Sequence, residues 1–244
     1  MVDTVNNGVT RREKRRHQTS ERILDAAMGL MTEQGYEALT IARLAKELDY
    51  AVGALYRYFK GKDAILAALQ VRCVNRISED LLKVREILAE QPGEYSEGER
   101  ELVHVLAGLG VYESLTFRRP TDYRLLTLSL GDPRELLATD MASVVYAPLN
   151  DVLGMVAEHL EKAASLGAIH EGSAETRIVV LWGATQGVIQ LRKMSRVDPK
   201  LGDRSLTDAL LCGQLIGWGA DPSKVEAFQV RAREVVDALD TSVV

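Results

Sequence analysis

Apolar residues recur at intervals of three and four along most of the chain, which is the spacing of one face of an α-helix, and strand-like alternation is nearly absent. The first predicted helix begins at the N-cap Thr19 and ends at Gly35. A second begins at the N-cap Thr40, and residues 49–51 separate it from a third that begins at Val52. This arrangement is the sequence form of a helix-turn-helix, although a three-helix fragment of any helical bundle would show the same periodicity.

Longer helices follow a break at Gly61. The first of them begins near Lys62 and runs to the break at residues 91–93. Glycine and proline residues separate six more, predicted at residues 97–117, 121–129, 140–166, 174–195, 205–218 and 222–239. The predicted fold class is therefore all-α, with about nine or ten helices: an N-terminal helix-turn-helix domain of three helices and a larger helical body.

The charge is distributed unevenly along the chain. Its 244 residues include 30 Lys and Arg against 35 Asp and Glu, a net charge of -5. Residues 1–72 carry 12 basic and 9 acidic side chains, whereas residues 73–244 carry 18 and 26. An apolar content of 46% excludes a disordered tail, and the net charge excludes a uniformly basic nucleic-acid coat protein. A basic end on an acidic body is typical of a small nucleic-acid-binding module, or of a solvated terminal arm.

Few residues indicate chemistry of another kind. No apolar run approaches the ~18 residues of a membrane span, and the basic run at residues 11–16 is not followed by the apolar segment of a signal peptide. The two cysteines form no CxxC pair, which fits a reducing cytoplasm. Because we find no nucleophile–base pair, carboxylate dyad or glycine-rich phosphate loop, we expect no enzyme, cofactor or metal site. The adjacent Glu158 and His159 point to different sides of a helix and do not make one.

Three segments carry a resemblance to a known family. They are Ala26-Ala27 with Gly35-Tyr36 at the end of the first helix, Thr40-Ile41-Ala42-Arg43-Leu44-Ala45, and Gly53-Ala54-Leu55-Tyr56-Arg57-Tyr58-Phe59-Lys60-Gly61-Lys62-Asp63. Over about residues 19–66 the chain closely resembles the TetR family of one-component transcriptional repressors. The resemblance implies a basic arm at residues 1–17, a DNA-binding domain at residues 18–66, and an effector-binding and dimerisation domain at residues 67–244.

The candidate DNA contacts lie on the second and third helices. Side chains that can contact phosphates are Thr40, Arg43, Tyr56, Tyr58 and Lys62. Family members commonly carry a polar pair where this chain has Ala51 and Val52, and these side chains, with Ala42 and Ala54, would contact thymine methyls or read nothing. Arg57 is the candidate for a guanine contact, or else a further phosphate contact. Asp49 replaces the family's glycine in the turn, where aspartate tolerates the left-handed conformation.

A basic arm precedes the first predicted helix. Its cations are Arg11, Arg12, Lys14, Arg15 and Arg16. Such an arm can enter an adjacent minor groove that is rich in A·T pairs, or it can attract phosphates without specificity. Either contribution would add affinity that the apolar third helix does not supply.

Two of the later helices each contain a pair of glycines four residues apart. Because glycine costs roughly 1 kcal/mol inside a helix, their repeated use indicates that backbones approach closely there. The resemblance implies that these helices form a four-helix interface in a homodimer, although packing within one chain is an alternative. The residues assigned to this interface are Gly183, Gly187, Leu211, Gly213, Leu215, Gly217 and Trp218. A two-fold dimer requires a palindromic operator with half-sites about 34–36 Å apart, or a multiple of that distance.

The helices between residues 62 and 195 are expected to enclose an effector pocket. Its candidate lining consists of polar or aromatic residues in otherwise apolar stretches: His104, Tyr112, Tyr123, Thr127, Asn150, Met155, Trp182 and Gln186. Few of these are charged, which suggests a small and mostly apolar effector. The resemblance implies that the helix beginning at Lys62 connects this pocket to the DNA-binding domain. The alternatives are a redox-responsive DNA-binding regulator that uses Cys73 or Cys212, and an all-helical enzyme.

Overall fold

The computed structural model describes residues 10–91, 93–131 and 139–239, and within these ranges it contains ten α-helices and no β-strand. The all-α fold class is therefore confirmed. The first nine residues of the predicted arm lie outside the described residues, as do residues 92, 132 and 133 of the predicted breaks. In the part of the chain that is described, no helix is long and apolar enough to cross a bilayer.

Most helices begin and end within a few residues of their predicted bounds. They are α1 (Arg11–Gln34), α2 (Ile41–Glu47), α3 (Val52–Leu55), α4 (Lys62–Glu90), α5 (Glu97–Arg118), α6 (Pro120–Gly131), α7 (Thr139–Ser165), α8 (Ala174–Leu191), α9 (Ser205–Gly217) and α10 (Val225–Ala238). Short 3-10 helices lie at Tyr36–Ala38, Arg192–Met194 and Pro199–Gly202.

The start of α1 differs from the prediction. The helix begins at Arg11 and its N-cap is Thr10, whereas the sequence pattern placed the N-cap at Thr19. Thr10 and Glu13 form a capping box, in which the Glu13 N–H donates to Thr10 Oγ1 over 3.2 Å and the Thr10 N–H donates to Glu13 Oε2 over 2.7 Å. Thr19 instead lies inside the helix and donates its hydroxyl to the Arg15 carbonyl oxygen. Local capping thus extends the helix beyond its apolar face, which the periodicity alone could not reveal.

The third helix is shorter than its apolar pattern predicts. It ends at Leu55, and the N–H groups of Arg57 and Tyr58 donate three residues back, to Ala54 over 3.3 Å and Leu55 over 2.9 Å. Phe59 therefore lies beyond the regular helix, although its spacing from Leu55 fits a helical face.

The described residues form two compact units. The first consists of residues 10–72 together with residues 124–131 and 139–145, and the second consists of residues 73–123 and 146–239. The division falls inside α4, a few residues after the predicted domain boundary at residue 66.

The core of the first unit comes mainly from α1, α2, α3 and the beginning of α4, with a contribution from α6. Its largest fully buried side chains are Ile23, Leu39, Leu44, Leu55, Ile65, Leu66, Leu69 and Leu125. Arg72 of α4 pairs with Asp25 of α1 over 2.7 Å, at the edge of this core. The apolar faces predicted for the first two helices are the faces that are buried, because three short helices can exclude water only by packing those faces together.

The second unit is built around α5. Buried residues lie on every side of this helix from Leu102 to Leu115, which identifies it as the central helix of the unit. A Cβ on Gly108 would meet Val156 Cγ2 of α7 at 2.9 Å, so glycine allows α5 and α7 to pack closely. Phe228 of α10 is also fully buried. Burial of these side chains fixes the positions of the polar groups described below.

Candidate functional site

Local hydrogen bonds hold α2 and α3 in a helix-turn-helix. Thr40 caps α2, because its hydroxyl oxygen accepts a hydrogen bond from the Arg43 N–H over 3.2 Å. After α2 the backbone reverses at Asp49, which has a φ of 56°, and the Tyr50 N–H then donates to the Ala45 carbonyl over 2.8 Å. A left-handed aspartate thus closes the turn before α3, as the sequence predicts.

The outer surface of this unit contains most of the predicted DNA-contact residues. Those that are exposed are Thr40, Ala42, Arg43, Ala51, Val52, Tyr56 and Arg57, whereas Ala54, Tyr58 and Lys62 are half-buried. Leu44 and Leu55 are buried beneath this surface. The structure therefore brings the predicted residues onto the α2–α3 region of one compact unit, with the apolar side chains of Ala51 and Val52 at the beginning of α3.

Two of the predicted cations already have partners within the first unit. Arg43 Nη2 donates to Gln34 Oε1. Lys62 Nζ donates to the Tyr36 carbonyl over 3.2 Å and lies 3.6 Å from the centroid of the Tyr36 ring. Among the described residues, the guanidinium of Arg57 has no hydrogen-bond or ion-pair partner. Of the predicted contact cations Arg43, Arg57 and Lys62, Arg57 is therefore the least constrained.

The predicted basic arm forms the first turns of α1. Arg11, Arg12, Arg15 and Arg16 are all exposed, and hydrogen bonds from Thr10 lower the pKa of the Glu13 carboxyl in the same turn. An α-helix with its side chains is about 10–12 Å wide, whereas the minor groove of B-DNA is about 6 Å wide. A helix of this width is too broad to lie within the minor groove, which favours phosphate contacts for its exposed arginines. Contact with phosphates and contact with the minor groove both stay predictions.

Four of the eight predicted effector residues lie together in the second unit. The hydroxyls of Tyr112 and Tyr123 both donate to Gln186 Oε1, over 2.6 Å and 3.2 Å. The ring of Trp182 lies 6.4 Å from that of Tyr112, centroid to centroid. Burial raises the pKa of both tyrosines, so both hydroxyls are protonated and can donate. Gln186 Nε2 is buried and has no hydrogen-bond partner among the described residues. We call these four residues the aromatic cluster.

His104 and Met155 lie at a different place in the second unit. They line a cavity of about 50 Å³, together with His159 and Arg85. The rings of His104 and His159 are stacked with their centroids 4.3 Å apart, and His159 Nδ1 is hydrogen-bonded to Glu101 Oε2. Burial, followed by the charge of His159, lowers the pKa of His104 to about 4. The sequence pattern relates His159 only to its neighbour Glu158, because the partners Glu101 and His104 lie on another helix.

The last two predicted effector residues are not part of either group. Thr127 belongs to the first unit and donates its hydroxyl to the Arg124 carbonyl over 3.2 Å. Asn150 is exposed on α7.

The glycines assigned to a dimer interface all lie on the surface. Gly183 and Gly187 on α8 and Gly213 and Gly217 on α9 are exposed, and a Cβ at any of them would meet nothing within 4 Å. They do not bring backbones together within the chain, so intrachain packing does not explain their repetition.

The assignment of two leucines to the same interface is wrong. Leu211 and Leu215 are 1% and 0% exposed, so they belong to the core of their own chain and have no surface to offer a partner. Trp218 is half-buried, with the guanidinium carbon of Arg177 lying 4.9 Å from the centroid of its ring.

Exposed apolar residues that were not predicted from the sequence accompany the glycines. They are Val179, Val180 and Leu191 on α8 and Ile216 on α9, which are all at least 40% exposed. Ile178, Leu181 and Ile189, by contrast, are buried. These residues could have been found in the sequence, because they form a second apolar stripe that is displaced by about one residue from the buried stripe.

Neither cysteine has the environment of a reactive thiol. Cys73 is buried and Cys212 is half-buried. Burial, and next the negative charge of Asp208, raise the pKa of the Cys212 thiol, which disfavours the reactive thiolate. In the described ranges, no group of three or more His, Cys, Asp or Glu residues could hold a metal ion.

Sequence comparison finds relatives of the N-terminal unit. The family described as "Bacterial regulatory proteins, tetR family" matches residues 23–69. The HTH-type transcriptional repressor KstR of Rhodococcus jostii is 44% identical over 57 residues, which are 23% of this chain and 27% of that protein. The HTH-type transcriptional regulator HbdR of an Aromatoleum species is 46% identical over 54 residues, 22% of either protein. The match thus spans about a quarter of the length of these curated relatives.

Similarity to solved structures extends over most of the chain. A tetR-family regulatory protein from Rhodococcus RHA1 is 17% identical with a TM-score of 0.56, covering 84% of this chain and 98% of that one. A TetR-family transcriptional regulator from Agrobacterium tumefaciens is 16% identical with a TM-score of 0.57, covering 84% of this chain and 100% of that one. At these identities the similarity concerns the fold alone.

Proposed function

We propose that the chain is a member of the TetR family of bacterial regulatory proteins and acts as a ligand-responsive transcriptional repressor that binds a palindromic operator as a homodimer. The observation that carries this proposal is the helix-turn-helix at residues 41–55, which lies inside the segment matched by the family and exposes the beginning of α3. In a helix-turn-helix the N-terminal residues of the second helix contact base edges in the major groove.

The exposed side chains divide into two kinds of DNA contact. Thr40, Arg43 and Tyr56 have donors suited to phosphates, which fix the register of a protein on DNA without reading its sequence. Arg57 can reach either a phosphate or the O6 and N7 atoms of guanine. The exposed arginines at the beginning of α1 add further phosphate contacts and a dependence of affinity on salt.

The outward face of α8 and α9 supports the homodimer. We define the dimer face as the exposed residues Val179, Val180, Gly183, Gly187 and Leu191 of α8 and Gly213, Ile216 and Gly217 of α9. Valine, leucine and isoleucine supply apolar area, and glycines between them let the helices of a second copy approach closely. A two-fold axis through this face would present two α3 helices to the two halves of a palindrome.

The aromatic cluster supports an effector site in the second unit. Its rings offer apolar contact area, and Gln186 Nε2 offers a buried donor for an oxygen of the effector. We infer a small, mostly apolar effector with at least one hydrogen-bond acceptor. To release DNA, this effector must bind the non-DNA-binding state of the protein more tightly than the DNA-binding state.

Selection of duplexes from a random pool by the full-length protein tests the DNA-binding proposal. We expect enrichment of one palindromic sequence, to which Arg57→Ala binds at least tenfold more weakly. Arg196→Ala, which removes an exposed arginine of the second unit, is the matched control and should bind normally. No enrichment of any duplex would contradict the proposed function.

A further inference from the structure

The beginning of α3 lacks side chains that form hydrogen bonds. Ala51 is the N-cap of the helix, Val52 and Gly53 are its first two residues, and all three are exposed. Val52 exposes 45% of its surface, a large fraction for a valine in a compact unit. None of the described residues of the first unit covers this patch, so a molecule that binds there contacts methyl groups first.

The surroundings of this patch are positively charged. Residues 40–62 contain five Lys and Arg and two acidic residues. Of these cations, Arg43, Lys46, Arg57 and Lys60 are exposed. An apolar centre with cations around it fits a duplex whose phosphates meet the rim and whose base edges meet the centre.

Among the four bases, only thymine presents a methyl group in the major groove. An adenine or guanine edge against Val52 would lose hydrogen bonds to water without gaining new ones, whereas a thymine methyl has none to lose. A Cβ on Gly53 would meet nothing within 4 Å, so this residue adds no side chain that would hold the base edge away.

On these grounds we propose that Val52, with Ala51 beside it, reads the 5-methyl groups of thymine in the operator. This inference rests on the proposed DNA-binding function and specifies the chemistry of recognition. Half-sites should therefore contain a fixed thymine opposite Val52, and specificity at that position comes from a contact between methyl groups.

The test replaces thymine by deoxyuridine, which lacks only the methyl group, one position at a time in the selected operator. Burial of one such group is worth ~0.8 kcal/mol, so affinity should fall about fourfold at the contacted thymine. In Val52→Ala the same replacement should change affinity less than about 1.5-fold, because the partner of the methyl group has been removed. Val197→Ala removes the same atoms from a valine that is 83% exposed in the second unit, and should keep the fourfold response.

The outcomes separate this inference from the function on which it rests. If the protein selects an operator but binds its thymine and uracil forms equally at every position, methyl readout is wrong and repressor function stands. An unchanged response to uracil in Val52→Ala would also exclude Val52 as the reader. Failure to select any duplex would overturn the proposed function and, with it, the inference.

Discussion

Single side chains in the second unit have their chemistry set by neighbours on other helices. His104 of α5 is stacked on His159 of α7, and His159 is hydrogen-bonded to Glu101 of α5. Burial opposes a proton on His104 most strongly, and the charge of His159 opposes it next, so the pKa of His104 is lowered.

This difference predicts that the protein loses stability in mild acid. The pKa of His104 is about 4 in the folded chain and 6.5 in its ordinary environment, so the unfolded chain binds more protons between these values. The free energy of unfolding should therefore fall as the pH drops from 6.5 towards 4. We expect a loss on the order of 2 kcal/mol, since one pKa unit is worth about 1.4 kcal/mol and the ring is partly exposed.

Denaturant titrations of two variants between pH 4 and 7 measure this effect. His104→Phe keeps an aromatic ring beside His159 but cannot titrate, so its stability should depend less on pH than that of the natural chain. His17→Phe, at an exposed position in α1, is the matched control and should keep the full dependence. Identical pH profiles for the natural chain and His104→Phe would show that His104 is not responsible.

Among the helices, α1 differs most from its predicted form, and the difference changes how it can bind DNA. A capping box at Thr10 and Glu13 adds more than two turns before the buried face begins at Ile23. These turns expose arginines on a rigid element, so they are available to phosphates without the entropy cost of ordering an arm. We therefore expect the first turns of α1 to contribute to the affinity for DNA and not to base recognition.

Replacing Arg11, Arg12, Arg15 and Arg16 together by glutamine should weaken operator binding and flatten its salt dependence. Each lost phosphate contact reduces the slope of log K against log salt by about 0.9, so with four arginines in each protomer of the bound homodimer the slope should change by as much as ~7.2. Fluorescence anisotropy at several salt concentrations measures the slope, and circular dichroism checks that the helix is retained. An unchanged slope would contradict the phosphate contacts, and the preference among operator sequences should stay the same.

Helices α8 and α9 each have a buried apolar stripe and an exposed stripe of apolar residues and glycines. The exposed stripes form the dimer face, so substitutions there should prevent dimerisation. Gly213→Lys places a charged side chain in the dimer face, where the chain itself offers no clash. We expect the variant to remain folded, because lysine is a better helix former than glycine by roughly 0.5–1 kcal/mol. We expect it to be a monomer, because the dimer would have to bury the lysine charge. Sedimentation velocity measures the change from dimer to monomer.

Gly154→Lys is the matched control for this substitution. Gly154 lies in α7, is exposed, and like Gly213 would place a Cβ in open space. This variant should stay dimeric and bind the palindrome normally, whereas Gly213→Lys should bind it weakly because each monomer contacts one half-site. A dimeric Gly213→Lys would exclude this face as the interface.

At the scale of the whole molecule, repression that responds to a ligand requires an effector site and a DNA-binding site. Occupancy of either site must weaken binding at the other. Thermodynamic linkage makes this opposition reciprocal, so operator DNA must weaken effector binding by the same factor by which effector weakens DNA binding. For a regulator of this kind the factor is expected to be about 5–150.

Titration of an effector found by screening for release of DNA, with and without saturating operator, measures this reciprocity. Trp182 in the aromatic cluster supplies the fluorescence signal, and Trp218→Phe removes the signal of the other tryptophan. We expect the two coupling factors to agree within error. A compound that dissociates the operator complex while its own affinity is independent of operator would instead be competing for DNA or for the surface that binds it.

Much of the fold follows from local rules, and the departures have physical causes. Thr40 as an N-cap, Asp49 in the turn and the break before Lys62 were predicted correctly because each depends on residues close in sequence. The predicted beginning of α1 was wrong because a capping box can extend a helix beyond the residues of its apolar face. Leu211 and Leu215 were assigned to the dimer interface because periodicity shows that a stripe is apolar but not what covers it.

The sequence by itself determined the all-α class, the helix-turn-helix and the resemblance of residues 19–66 to the TetR family, since these depend on residues close together in the chain. Only the tertiary structure decided which residues meet across helices. It brought Tyr112, Tyr123 and Gln186 together, stacked His104 on His159, and turned the glycines of α8 and α9 outward. Such contacts join residues far apart in the chain, and which face of each helix is buried depends on all its neighbours at once, so no local pattern can specify them.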